Sequence, residues 1–269
     1  MSLGVVVKGS EGVVLAADSR VTLTTKVEAG PMTGTVIPAF FDNATKLLKV
    51  KGQDFVAAVT YGAGAFGRTE PRTAHSYLPE FESELAGAGE GRLSVENFAR
   101  ELGAFFKRQW DTSSMPLGAE PMGFLVGGFD DGGIYGRVYE VSVPNILTPT
   151  ERSVFGVAWG GQGETATRLL NGYDPTLFQR VKDELSLDDA AAADLQERIK
   201  GQLGMPIPYQ FLPLQDCVDL AILLVRTTAR LQDFHIGIRG VGGAVDVATI
   251  TRMEGFNPVQ QKAIGGERP

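Results

Sequence analysis

A single cysteine, Cys217, stands in 269 residues, so no internal disulfide can form. Histidine is nearly as scarce, with only His75 and His235. These three residues cannot supply a Cys/His zinc site or a paired-histidine helix, and a Cys–His nucleophile pair would have to join distant parts of the chain. Two glycine-containing signatures are also missing, GxxxxGK[ST] and GxSxG. Most common kinase and hydrolase readings fall with them, and neither a metal nor a cofactor is expected. Positive charge is in deficit, 25 Lys and Arg against 32 Asp and Glu, a net charge of −7. A phosphate backbone would find no broad basic face, which excludes nucleic acid as the expected partner. No apolar run approaches the ~20 residues that cross a membrane. The longest, Cys217–Val225, is interrupted by Asp219. No basic stretch followed by an apolar one opens the sequence, so a secretory signal is not expected and the location is read as cytoplasmic.

Hydrophobic residues make up 43% and charged residues 21%, a balance that supports a packed core. The length is close to what one core can serve, and 1–269 reads as a single domain with a helical elaboration around 174–213. Leu3–Lys8 and Gly12–Asp18 are β-branched runs about a glycine-containing turn, the pattern of a hairpin. A second hairpin is expected from Lys46–Val50 and Phe55–Thr60, and a third from MGFLVGGF and IYGRVYEV within 122–142. Residues 22–43, with Pro31, Gly34 and Pro38, read as irregular. Another apolar run covers Ser153–Ala158, and a last strand Ala244–Ile250. Helices are expected over Thr69–Leu85, Ser94–Trp110, Gly163–Asn171, Asp188–Gln202 and Leu214–Leu231; Ser94 is the N-cap of the second, and Val95, Phe98, Leu102, Phe105 and Phe106 share one face. Hairpins with helices gathered in blocks make an α+β fold. The hairpins at 3–18 and 46–60 are expected in one sheet.

Five segments in order carry a resemblance. LGVVVKGSEGVVLAADSRVT at the N-terminus resembles the opening of proteasome β-type subunits, members of the N-terminal nucleophile (Ntn) hydrolases. TKLLKV (45–50), AAVTYGAG (57–64), GVAWGGQGETATRLLNGY (156–173) and GGAVDVATITRMEGF (242–256) are similar to later segments of that family. The resemblance implies a four-layer αββα sandwich of two antiparallel sheets. It also implies amide-bond hydrolysis of peptides or unfolded proteins in protein turnover, and a ring-type homo-oligomer.

By the same resemblance Asp18 matches the family aspartate, Lys46 its lysine and Gly62 its oxyanion-hole glycine, with Gly64 the alternative. The usual N-terminal threonine is absent. Ser2, exposed if Met1 is removed, is the candidate nucleophile. The family pattern sets the threonine about four residues before Gly4, so Ser2 is expected two positions too far along the strand, roughly 7 Å at ~3.3 Å per residue. A small pocket would then stand where the threonine belongs, unless the strand slides by two residues. The family's serine near Gly160, and its Asp and Ser before the last strand, are replaced by Trp159-Gly160-Gly161-Gln162 and Arg239–Gly243; Asp233 could supply the carboxylate only through a folded-back loop. Two functions stay open: a peptidase using Ser2, and a non-catalytic protein serving assembly or binding. Elsewhere Lys49 and Lys51 read as solvated, Asp216 and Asp219 as surface or interface carboxylates, His235 near Asp233 as a loop histidine, and Cys217 as a core thiol.

Overall fold

The computed structural model describes residues 2–26, 34, 36–67, 70–89, 91–152, 155–174 and 176–266. Thr69 and Ser153, where two expected elements begin, lie outside them, as does Met1. The apolar runs near the N-terminus form β1 (Leu3–Lys8) and β2 (Val13–Asp18), an antiparallel hairpin with Gly4 opposite Ala17 and Lys8 opposite Val13. Next come β3 (Val21–Lys26), β4 (Val36–Phe41), the short β5 (Leu47–Leu48) and β6 (Val56–Gly62). Two helices follow, α1 (Leu78–Gly87) and α2 (Val95–Thr112), then β7 (Met122–Gly128), β8 (Arg137–Val143), β9 (Ile146–Glu151) and β10 (Gly156–Gly161). Beyond α3 (Glu164–Asn171), α4 (Leu177–Leu185) and α5 (Asp189–Leu203), the chain closes with α6 (Leu214–Asp233), β11 (Val245–Thr251) and β12 (Gly255–Gln260). Helices and several antiparallel sheets make this a mixed α and β protein. Among the described residues no helix is long and apolar enough to cross a membrane.

Among the described residues there are three sheets, where two were expected. Two have five strands, in the orders β10-β1-β2-β11-β12 and β5-β6-β7-β8-β9, and the third is the β3–β4 pair. The hairpins at 3–18 and 46–60 therefore belong to different sheets: β1 takes β10 as its other neighbour and β2 takes β11, and those partners are far away in sequence. The β3–β4 ribbon replaces part of the segment read as irregular, whose residues 27–33 and 35 lie outside the described set. Val21-Thr22-Leu23 alternates as a strand does, and Pro38, opposite Thr24, is tolerated because both strands of a two-stranded sheet are edges.

The two five-stranded sheets pack through a cluster holding Val6, Leu15, Ala17, Leu47, Ala57, Val59, Leu125 and Ile250. The period-2 alternation of a strand sends the next residues the other way. Leu48, Val56, Ala58, Phe124 and Val126 join a second cluster with Phe81 of α1 and Phe98, Leu102, Phe105 and Phe106 of α2. Ser94 caps α2 as expected, accepting from the Asn97 N–H at 3.2 Å. The start of α1 lies later than the helical pattern at 69–85 suggested, because Pro79 sits comfortably only in a first turn and the helix begins at Leu78. On the other five-stranded sheet, α6 packs against β1, β2 and β11, burying Cys217, Val218, Ala221, Leu224 and Val225. Its apolar stripe is thus covered by its own unit, while Leu223 and Leu231 stay exposed.

Residues 163–208 form a unit of their own. In it α3 ends at Gly172, whose positive φ of 78° suits glycine. Asp188 caps α5 by accepting from the Ala191 N–H at 2.7 Å, and Tyr173 meets Phe178 edge-on at 4.8 Å.

Phe106 touches the rings of Phe66, Tyr77, Phe105 and Phe124. Phe106→Ala should destabilise the protein by about 3–5 kcal/mol, read as a lower urea midpoint with an unchanged slope.

Candidate functional site

β2 ends on Asp18, and Lys46 stands immediately before β5. Both are buried, at 1% and 4% exposure, and the Lys46 Nζ donates to Asp18 Oδ1 at 2.7 Å. The same oxygen accepts from the Leu3 N–H at 3.0 Å. Asp18 Oδ2 accepts from the Arg20 N–H at 3.1 Å and the Gly242 N–H at 3.0 Å. Four donors thus surround one carboxylate, the condition under which a buried charge is retained. Burial pushes the Lys46 ammonium below its usual range, and Asp18 opposes that shift.

Ser2 is buried, with 2% exposure, and its carbonyl accepts from the Gln162 N–H at 2.9 Å. At Gly161, φ is +87° and a Cβ would stand 1.9 Å from that carbonyl oxygen. Only glycine permits this turn. Ser2 and Lys46 share the wall of one recess with Val21, Thr60, Ala63 and Gly64; Ala44, Thr45, Thr73 and Ala74 complete it. Its free volume is about 10 Å³, room for about one water molecule. With the Leu3 N–H on Asp18, Ser2, the residue before it, borders the same recess as Lys46.

Gly62 does not line the recess. It ends β6 opposite Met122, with φ at +80° and a Cβ position 2.2 Å from the Pro121 carbonyl oxygen. This left-handed turn carries the chain into Ala63 and Gly64, which do line it. The Ala63 N–H donates to Pro121 O at 2.9 Å. Gly64, the alternative match, is therefore the glycine that faces the recess.

Other anticipated residues lie apart or in supporting roles. Asp233 pairs with Arg230 on its own helix at 3.3 Å, and the His235 N–H donates to Gln232 O. The Arg239–Gly243 segment contributes backbone to this site, through the Gly242 N–H on Asp18 and the Arg239 carbonyl, which accepts from Thr22 Oγ1 at 2.9 Å. Asp219 accepts from Gln215 at 3.0 Å. Cys217 is buried, and desolvation, with Asp216 and Glu11 nearby, pushes its thiol up to about 11, which keeps it protonated and unreactive near neutral pH. Lys49 is not wholly solvated: it donates to Gln53 O and Asp54 Oδ1 at 2.7 and 2.8 Å. Among the described residues no group of three His, Cys, Asp or Glu could hold a metal.

The sequence reading missed a clamp next to this cluster. Arg20 holds Asp42 in a two-pronged ion pair, at 2.6 and 2.7 Å, while its own N–H fixes Asp18. Arg20 follows Asp18 by two residues, a usable signal; Asp42 gives none, since its partner lies 22 positions back.

Because the folded Lys46 binds its proton less tightly than an unfolded lysine, it weakens the fold below its depressed pKa. The penalty is relieved as pH rises toward 10.5. The stability of the wild type relative to Lys46→Met should therefore increase with pH across that window, measured by urea unfolding at several pH values. Asp18→Ala should cost about 3–5 kcal/mol, since it strands a buried ammonium.

No protein-family model matches the chain and no curated protein matches it, so the chemistry of the recess rests on its own residues.

Proposed function

We propose that this protein is a proteasome-like Ntn hydrolase, with a four-layer αββα sandwich, that cleaves amide bonds of peptides or unfolded proteins with Ser2 as its nucleophile once Met1 has been removed. The observation that carries this reading is the recess shared by Ser2 and Lys46, with Lys46 held on the fully bonded Asp18 carboxylate. The layering α6, sheet, sheet, α2 supports the sandwich.

In this mechanism the Ser2 hydroxyl adds to the substrate carbonyl carbon and passes its proton to the freed α-amine. An α-amine titrates near ~7.7–8.0 and so accepts a proton at neutral pH, where a lysine ordinarily cannot. The carbonyl C–N bond then breaks, and the departing amine takes that proton. Water hydrolyses the resulting ester by the reverse use of the same amine, restoring the Ser2 hydroxyl. Lys46 contributes positive charge beside the reacting oxygen, and the Gly64 backbone, in the wall of the same recess, is the candidate donor to the developing oxyanion, since the Ala63 N–H is taken by Pro121 O.

A second reading, assembly or binding without catalysis, is favoured by the Arg239–Gly243 segment, which brings backbone rather than a side-chain carboxylate or hydroxyl to Asp18. Intact mass separates the two readings. The hydrolase should lack Met1 and gain one adduct at Ser2 from a serine-reactive peptide β-lactone. Ser2→Ala should abolish that adduct and peptide turnover, and Lys46→Ala should slow turnover roughly 10²-fold. A protein without Met1 that neither labels nor turns over any of a broad peptide panel belongs to the second class.

Either reading includes a homo-oligomeric ring. Light scattering should return a multiple of 28.8 kDa; a monomer mass across micromolar concentrations would remove the ring.

A further inference from the structure

We infer that Tyr61 is the positioning residue of the Ser2 recess, its ring acting as a spacer between the two five-stranded sheets where Ser2 and the Ala63–Gly64 turn meet. The inference rests on the reading of Ser2 as the working hydroxyl. The ring lies in a slot that exists only because its walls are glycine. A Cβ on Gly123 of β7 would stand 2.2 Å from ring atoms Cε2 and Cζ, and a Cβ on Gly160 of β10 2.3 Å from Cε1 and Cζ. A Cβ on Gly4 of β1 would be 3.6 Å from Cδ1. The first two distances are far inside van der Waals contact, so both sheets close directly on the ring.

The far end of the side chain is fixed as well. Its hydroxyl donates to Glu140 Oε1 on β8 at 2.6 Å, and the other Glu140 oxygen receives the Arg152 guanidinium. Burial and Glu140 together hold the phenol above its usual pKa, so it remains a donor at working pH. At the near end, the Tyr61 Cβ is 3.3 Å from the Cβ position of Gly161, the turn that closes on the Ser2 carbonyl. The residue after Tyr61 is Gly62, which leads into the recess wall. Tyr61 itself does not line the recess. It acts through Gly161 and Gln162 on one side and Gly62 on the other, setting how far Ser2 stands from the opposite wall. A displacement of about 1 Å there is enough to cost roughly 10²-fold in rate.

The test uses the full chain and three variants, Tyr61→Leu, Tyr61→Phe and Gly160→Ala. Two quantities are read: the rate of β-lactone capture at Ser2, and amide hydrogen exchange at Gln162, which donates to Ser2 O, compared with Val126 in the helix-side core. Tyr61→Leu should slow capture roughly 10²-fold and speed exchange at Gln162 while leaving Val126 protected. Tyr61→Phe, which keeps the spacer, should stay close to wild type in both. A folded Tyr61→Leu with wild-type capture and exchange overturns the inference, as does a Tyr61→Phe loss equal to that of Tyr61→Leu. Should Tyr61→Leu fail to fold, Gly160→Ala puts a methyl where the ring sits and must shift both readouts the same way; no shift overturns the inference. If the wild type is never captured, the hydrolase reading fails, and exchange at Gln162 alone decides the role of Tyr61.

Discussion

The Asp18 carboxylate is the constraint on which the rest of the site depends. It accepts from the strand start at Leu3, the turn at Arg20, the Lys46 ammonium and the Gly242 backbone. Those donors come from four separate stretches of chain, and one of them leads into the other five-stranded sheet. A buried ion pair is poor evidence for stability by itself, because desolvation offsets much of the attraction. What it supplies here is a single arrangement. Removing any one donor leaves a buried charge short of partners, so the four segments must meet in one register.

The two packing layers divide the side chains by size, and this follows from what lies across each face. Where sheet meets sheet, the cluster is mostly Val, Ala and Leu, which lets two nearly flat surfaces approach closely. Where helices meet sheet, the gaps between cylinders and pleats are irregular, and eight buried aromatic rings fill them: Phe66, Tyr77, Phe81, Phe98, Phe105, Phe106, Phe124 and Tyr139. Tyr61 departs from that division, a large ring in the thin layer. The departure is possible only because Gly123 and Gly160 leave space on opposite sheets, and it occurs next to the recess that Ser2 borders.

The arginine clamp shows how the small ribbon is tied to the same centre. Arg20 bonds Asp18 through its backbone and Asp42 through its guanidinium, and Asp42 directly follows β4. The Asp42 carboxyl is held below its usual range chiefly by the Arg20 hydrogen bonds. An isolated two-stranded ribbon is marginal in water; this one is fastened at its base by the residues that frame the site.

By itself the sequence determined the local elements whose periodicity is unambiguous. The β1–β2 and β7–β8 hairpins, the Ser94-capped α2 and the apolar α6 can each be read from residues adjacent to one another, because alternation of two and a period of 3.6 are properties of short windows. It also carried Asp18 and Lys46 as separate candidates. The β3–β4 ribbon, the exposed β9 and the Pro-containing β12 were hidden, since edge strands need neither continuous hydrophobicity nor a free N–H at every position. Only the tertiary structure decided which hairpin joined which sheet and that Ser2 borders the Lys46 recess. It alone decided that Gly64 rather than Gly62 faces that space, and that Tyr61 wedges between Gly123 and Gly160. These are long-range pairings, set by which surfaces are complementary after the chain has folded, and no spacing within a short stretch of residues encodes them.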